Sequence, residues 1–278
     1  MKLVKLAAVF TKSSTPSAPV IWDKKQYKKN LCKVLIVNSG NANAYTGDNG
    51  ITSIKKYSSF AAQIFNCKLN QVFVSSTGVI GEQLDPKPII EKLKLIKNAK
   101  SKYLIHAAKA IMTTDTYPKI AFETVIINGR KIKIYGIAKG SGMIAPNMGT
   151  MLSYIFIEAS LTSSTLSELL KTNIEDSFNA ISVDGDMSTN DTVAVFAVGN
   201  KKLKSIIKKH QFLKLISTSL KKVMRKLAQQ IVCDGEGISK LIEVNVFNAN
   251  SKAQAKKIAF SIAESLLVKT AIYGEDAN

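Results

Sequence analysis

The stretch KGSGMIAPNMGTMLSYIFIEAS, residues 139–160, changes character at one point. Up to Gly149 it holds Gly140, Gly142, Pro146, Asn147 and Gly149, residue types that build turns. From Met151 onward MLSYIFIEA is β-branched and aromatic, which predicts a strand. Thr150 stands between the two. On its own it reads as a β-branched strand opener, but it also places a hydroxyl next to the carbonyl of a flexible glycine.

Working outward, TLSELLKTNIEDSFNAI (165–181) predicts a helix and TVAVFAV (192–198) a strand. A long basic helix, SIIKKHQFLKLISTSLKKVMRKLAQQI (205–231), follows, then LIEVNVF (241–247) as a strand and KAQAKKIAFSIAESLL (252–267) as a helix. Upstream, KVLIVNSG (33–40) and NQVFVSSTG (70–78) are apolar runs that each end in a polar turn with glycine, so both are strands delivering a loop. ITSIKKYSSFAAQIF, KPIIEKLKLI and KYLIHAAKAIM have helical spacing. FETVIINGRKIKIYGIA (122–138) predicts a hairpin about Asn128-Gly129. The alternation of strands and helices defines a layered α/β architecture.

Composition narrows the function classes. The chain has 278 residues, 46% of them hydrophobic, enough for one large core or two modest ones. No apolar window reaches the roughly 18 residues of a membrane span. The N-terminal apolar patch is interrupted and too short for a secretory leader, so a cytoplasmic location is expected. A net charge of +19 suits phosphate binding, yet only Arg130 and Arg225 supply guanidinium groups and the lysines are dispersed, which argues against nucleic acid as partner. Residues 1–150 carry a net +16 and residues 151–278 a net +3, an asymmetry that would draw anionic metabolites. Cys32, Cys67 and Cys233 lie far apart and read as buried thiols, with neither disulfide nor zinc spacing. Asp184, Asp186 and Asp191 read as turn formers, so no metal is expected. His106 and His210 fall in helical patterns outside any nucleophile or metal motif, and the glycines match no dinucleotide or P-loop fingerprint.

Seven stretches carry a resemblance in order and spacing: VNSGNANAYTG (37–47), SSTGVIGEQL (75–84), IMTTDTYPK (111–119), GIAKGSGMIAPNMGTML (136–152), SFNAISVDGDMSTNDTV (177–193), CDGEG (233–237) and LVKTAIYGED (267–276). Together they resemble the ornithine acetyltransferases, the bifunctional glutamate N-acetyltransferases of arginine biosynthesis. The resemblance implies an αββα sandwich and a precursor that cuts itself between Gly149 and Thr150. The products would be an α chain (1–149) and a β chain (150–278) that associate, two of each. Thr150 would then be the nucleophile, with its new α-amino group, of ordinary pKa ~8, as its base. No histidine is needed.

By the same resemblance Thr77, through its hydroxyl, and Gly78, through its N–H, form the oxyanion site, while Thr113, Lys139, Thr150 and Glu236 hold the amino-acid substrate. Thr114 and Thr116 are neighbours of the same type as Thr113. A lysine suits an α-carboxylate and a glutamate an amino group. The implied reaction moves acetyl from N-acetyl-L-ornithine to L-glutamate without a cofactor; whether acetyl-CoA also serves as donor is left open. The family pattern extends beyond GEDAN (274–278), so residues 240–278 are expected to begin a C-terminal domain whose remainder would complete the pocket. The alternatives are a self-cleaving aminopeptidase or amidase on a related fold and an inactive, truncated remnant.

Overall fold

The computed structural model describes residues 2–27, 30–97, 99, 103–127, 129–145, 151–199 and 209–277. Its strands are β1 (Val4–Phe10), β2 (Leu31–Cys32), β3 (Val34–Asn41), β4 (Val72–Val79), β5 (Lys119–Ile127), β6 (Arg130–Lys139), β7 (Leu152–Ile157) and β8 (Thr192–Ala197). Its helices are α1 (Ala18–Gln26), α2 (Gly47–Ile64), α3 (Lys87–Ile96), α4 (Leu104–Ala110), α5 (Ser163–Ile174), α6 (Lys209–Val232), α7 (Lys252–Ala263) and α8 (Leu266–Gly274). Six strands form one sheet in the order β2-β1-β8-β7-β6-β5, and β3 and β4 pair in parallel as a second sheet.

The period of two along each strand sorts the side chains into layers. Ile155 and Ile157 of β7 and Val193 and Val195 of β8 face one core, packed with Leu166 and Leu170 of α5 and with Leu220 and Leu227 of α6. Leu152 and Tyr154 of β7 and Ala194 and Phe196 of β8 face the opposite way, against Leu35, Val37 and Phe73 of the second sheet. The other face of that second sheet, with Val34, Ile36, Val72 and Val74, packs on Trp22 of α1, Ile54 and Tyr57 of α2 and Leu93 of α3. The result is an αββα sandwich, as expected. A sheet covered on both faces requires apolar residues at every position, and all six residues of β8 are buried.

Helix α6 shows the same logic at helical spacing: Ile216, Leu220, Val223, Leu227 and Ile231 are fully buried in one stripe. α1 covers the open edge of β4, where both carboxylate oxygens of Asp23 accept the Val74 N–H at 3.1 and 3.2 Å. An orphan ladder donor is thereby satisfied. Burial raises the Asp23 carboxyl well above its ordinary range, against the opposing pull of that N–H.

Four expectations need correction. The helix expected over 165–181 ends at Ile174, and Phe178–Ala180 forms a separate 3-10 turn. In residues 241–247, Ile242, Val244 and Val246 are half-buried between exposed neighbours, but the segment joins no sheet among the described residues. Alternation supplied a face, but among the described residues no strand pairs with it to complete a ladder. The helix expected over 252–267 breaks at Glu264, and a second helix restarts behind Ser265, whose side chain accepts the Val268 N–H. Cys32 is buried, but Cys67 is half-buried and Cys233, in the turn after α6, is exposed. Conversely, β1 and α1 were not predicted. β1 pairs with β8 over six residues and so lies inside the large sheet.

Candidate active site

The parallel strands β3 and β4 run side by side to their C-terminal ends, where Ser39 pairs with Thr77 and Gly40 with Gly78. Gly78 has φ +130°, and a Cβ there would lie 2.3 Å from the Gly40 carbonyl carbon. Only glycine fits. Asn190 fixes this end of the sandwich by donating to the carbonyls of Ala42 and Ser76 at 2.6 and 2.8 Å.

Against this strand end lies the end of β6. Lys139 is buried, and its Nζ donates to the hydroxyls of Thr77 at 3.1 Å and Thr113 at 2.7 Å. Because the Thr77 oxygen accepts that bond, its own O–H is left to donate elsewhere. Burial pushes the Lys139 ammonium below its ordinary pKa, and the nearby Lys119 charge adds to this, against the opposing carboxylates of Asp115, Glu236 and Asp191. In the β6–β7 ladder Lys139 is the register partner of Leu152. In sequence, Leu152 follows Thr150 by two residues. Gly149 and Thr150 themselves lie outside the described residues.

Thr77, Gly78, Thr113, Lys139 and Glu236 all line one cavity of about 800 Å³, within the range of small-molecule sites. Thr114 lines it too, whereas the Thr116 hydroxyl turns away and bonds the Asp234 carboxylate. Gly142 is closely approached by Glu236, whose carboxyl carbon lies 2.8 Å from where a Cβ would stand. A second, more apolar cavity of about 680 Å³ lies under the 238–246 segment, bordered by Ile181, Val183, Ile238 and Phe260. It contains none of the expected residues. Among the described residues, no group of three or more His, Cys, Asp or Glu side chains is arranged to hold a metal ion, and no helix is long and apolar enough to cross a membrane.

Residues not expected from the sequence assemble this site. Asp115 accepts the N–H groups of Thr113 at 3.1 Å and Gly140 at 2.8 Å, and it pairs with Lys119 at 2.6 Å. Lys119 also pairs with Asp234 at 2.5 Å. Asp234 in turn accepts the Thr116 N–H at 3.0 Å, while its backbone carbonyl accepts the Ser141 hydroxyl at 2.5 Å. The segments bearing Thr113, Lys139 and Glu236 are thus tied together by one buried ionic knot. Burial works to raise Asp115 and Asp234. The Gly140 N–H and the two lysines outweigh it at Asp115, and Lys119 and Thr116 outweigh it at Asp234, so both carboxyls sit below the usual range. In sequence Asp115 and Lys119 stand only four residues apart inside MTTDTYPK, but the segment is not helical and this spacing carries no signal of a buried pair.

The acidic residues first read as turn formers do more than that. Asp184 accepts the Asp186 N–H, as a turn residue would, but also the N–H groups of Met143 at 2.5 Å and Ile144 at 2.9 Å. Asp191 is fully buried and accepts the Met151 N–H at 2.8 Å. Its other oxygen has no hydrogen-bond partner among the described residues. Burial pushes this carboxyl well up, with the Met151 N–H and the Lys139 charge opposing. The two carboxylates therefore hold the backbone on either side of residues 146–150.

The fold and the cavity define an αββα protein with hydroxyls, a buried lysine and a carboxylate gathered at the end of a parallel strand pair. The chain belongs to the ArgJ family, whose model matches residues 2–278. It is 47% identical to the arginine biosynthesis bifunctional protein ArgJ of Bradyrhizobium diazoefficiens, over 98% of this chain and 67% of that protein. To the protein of that name from Bartonella henselae it is 45% identical, over 100% of this chain and 68% of the relative. The chain thus spans about two thirds of the length of these relatives. The crystal structure of the PH0078 protein from Pyrococcus horikoshii aligns with a TM-score of 0.50 at 11% identity, over 84% of this chain and 73% of that one, a likeness of fold alone.

Proposed function

We propose that this chain is an acetyltransferase of arginine biosynthesis that moves acetyl from N-acetyl-L-ornithine to L-glutamate through an acetyl-threonine on Thr150. The observation that carries the reading is the convergence of Thr77, Gly78, Thr113, Lys139 and Glu236, from four distant segments, on one cavity. The names borne by its relatives point to the same pathway.

In this reading the Thr150 hydroxyl attacks the carbonyl of Gly149, an N-to-O acyl shift follows, and hydrolysis releases the Thr150 α-amine. The chain becomes fragments 1–149 and 150–278. These would stay interlocked, because β7 and β8 lie between β1 and β6 in the sheet. In the first half-reaction Thr150 Oγ attacks the acetyl carbonyl. Its proton passes to the α-amine and on to the departing ornithine nitrogen. In the second, the glutamate amine attacks the acetyl ester and the threonine hydroxyl is restored. Thr77 O–H and Gly78 N–H face the oxyanion, Lys139 pairs with the substrate α-carboxylate and Glu236 with an amino group. The finer elements of the proposal are an assembly of two α and two β chains, cytoplasmic location and no cofactor, with the use of acetyl-CoA as a further donor substrate left open.

Formation of N-acetylglutamate from N-acetylornithine and glutamate tests the reading. Thr150→Ala is expected to abolish it. Release of free acetate in place of N-acetylglutamate would instead assign a hydrolase.

A further inference from the structure

The buried knot under the cavity holds more charge than anchoring requires. Lys119, with a fully buried side chain, places its ammonium 2.6 Å from Asp115 Oδ1 and 2.5 Å from Asp234 Oδ2. Asp115 Oδ2 lies 3.9 Å from Lys139 Nζ, and it is the one carboxylate within 4 Å of that ammonium among the described residues. Asp115 therefore sits between two lysines. It is engaged closely by one, while the other spends its bonds on two neutral hydroxyls, Thr77 and Thr113.

We propose that Lys119 is a positioning residue: by compensating Asp115 it keeps Lys139 turned toward the cavity and available to an anionic ligand group. Buried charges left without a partner are costly, and a charge-assisted bond forms at about 2.7–2.9 Å. Without Lys119, Asp115 would lose its close cation, and the ammonium left within 4 Å of it is Lys139, whereas Asp234 keeps the Thr116 N–H and hydroxyl. A shift of about 1 Å, set by the gap between 3.9 Å and that bonding distance, would pair it with Asp115 and draw it off Thr77 and Thr113. The ligand would then meet a lysine already neutralised. The consequence for ligand binding rests on the cavity being the amino-acid site proposed above; the consequence for Lys139 does not.

Two measurements on the purified protein separate these levels: crystal structures of Lys119→Met and the parent, and calorimetric titration of both with L-ornithine. In Lys119→Met the Lys139–Asp115 distance is expected to close to about 2.8 Å, and ornithine affinity to fall about tenfold or more, the scale of one lost charge-assisted bond. The double variant Asp115→Asn/Lys119→Met removes the competing carboxylate and is expected to bring affinity back to within about threefold of the parent, less than half of a charge-assisted bond. Lys119→Arg, which keeps the cation, should bind as the parent does. An unmoved Lys139 in Lys119→Met, or a double variant as weak as the single, overturns the proposal. If the parent binds no ornithine but Lys139 still re-pairs in Lys119→Met, the ligand reading falls and the positioning role stands. Should Lys119→Met fail to fold, the neutral double variant and Lys119→Arg decide: retained affinity in both supports the role, and loss in both overturns it.

Discussion

Two stretches of this chain look alike on paper and end differently. LSYIFI became β7, at the centre of the large sheet, hydrogen-bonded on both sides and buried at five of its six positions. IEVNVF is as β-branched, but it alternates apolar with polar residues where LSYIFI is a nearly continuous apolar run, and it joins no sheet among the described residues, with Phe247 81% exposed. Alternation tells which residues share a face. Whether that face becomes a sheet depends on a neighbour that local sequence does not contain.

The sharpest way to break this comparison is amide hydrogen exchange. The 153–157 amides should be protected up to the global stability of the domain, by many powers of ten, while those of 242–247 should exchange almost as fast as an unfolded chain. Comparable protection in the two stretches would mean that 241–247 is paired in solution. Side-chain truncation gives the next largest contrast. Ile155→Ala, from the fully buried core, should cost about 2–5 kcal/mol. Leu241→Ala, 60% exposed, should stay within about 0.5 kcal/mol. Denaturant midpoints read both, and equal losses would refute the distinction.

The legible part of the molecule follows the same division. Strands β3, β4, β7 and β8 and the β5–β6 hairpin could be read because covered sheets demand apolar runs and tight turns demand Asn-Gly. β1 escaped because VKLAAVF, a short apolar run broken by Lys5 close to the N-terminus, has the composition of an interrupted leader as much as of a strand. Residues that share the cavity were legible where a residue type is tied to a motif of the resemblance, as at Thr77-Gly78 and Lys139. Asp115, Lys119 and Asp234 were not, because in a chain with 39 basic residues nothing local marks the lysine that will be buried. Asp184 and Asp191 looked like turn residues because their distant partners, the N–H groups of Met143, Ile144 and Met151, carry no sequence signature.

Those two carboxylates give a smaller effect that sharpens the contrast between held and loose backbone. If they steady the chain on either side of residues 146–150, Asp191→Ala should slow self-cleavage by about tenfold, the scale of leaving one buried donor without its acceptor. Asp191→Asn, which still accepts from Met151, should lose less. Asp184 uses both oxygens, so Asp184→Asn should already be slow. Fragment appearance followed by mass over time tests this, and equal rates in all four proteins would remove the role.

The smallest expected effect is on pH. Lys139 is held below its ordinary pKa chiefly by burial, so its charge is lost as pH rises through that lowered value. Binding of a substrate carboxylate should therefore weaken on the alkaline side before the ordinary lysine range is reached, seen as a rise in KM with kcat less affected. At the acid end, Asp115 and Asp234 have lowered folded-state pKa values. The stability they contribute is complete above the ordinary carboxylate pKa and fades as pH falls through the lowered ones. Melting temperature against pH would show it, and Asp115→Asn should flatten the curve.

The central claim is that Thr150 carries the acetyl group. The most direct measurement is acid quenching of the protein after brief exposure to N-acetylornithine without glutamate, followed by intact and peptide mass analysis. Fragments 1–149 and 150–278 are expected, with one acetyl group on the threonine that begins the second. An uncut chain that still forms N-acetylglutamate, or an acetyl group carried by any other residue, would contradict the claim.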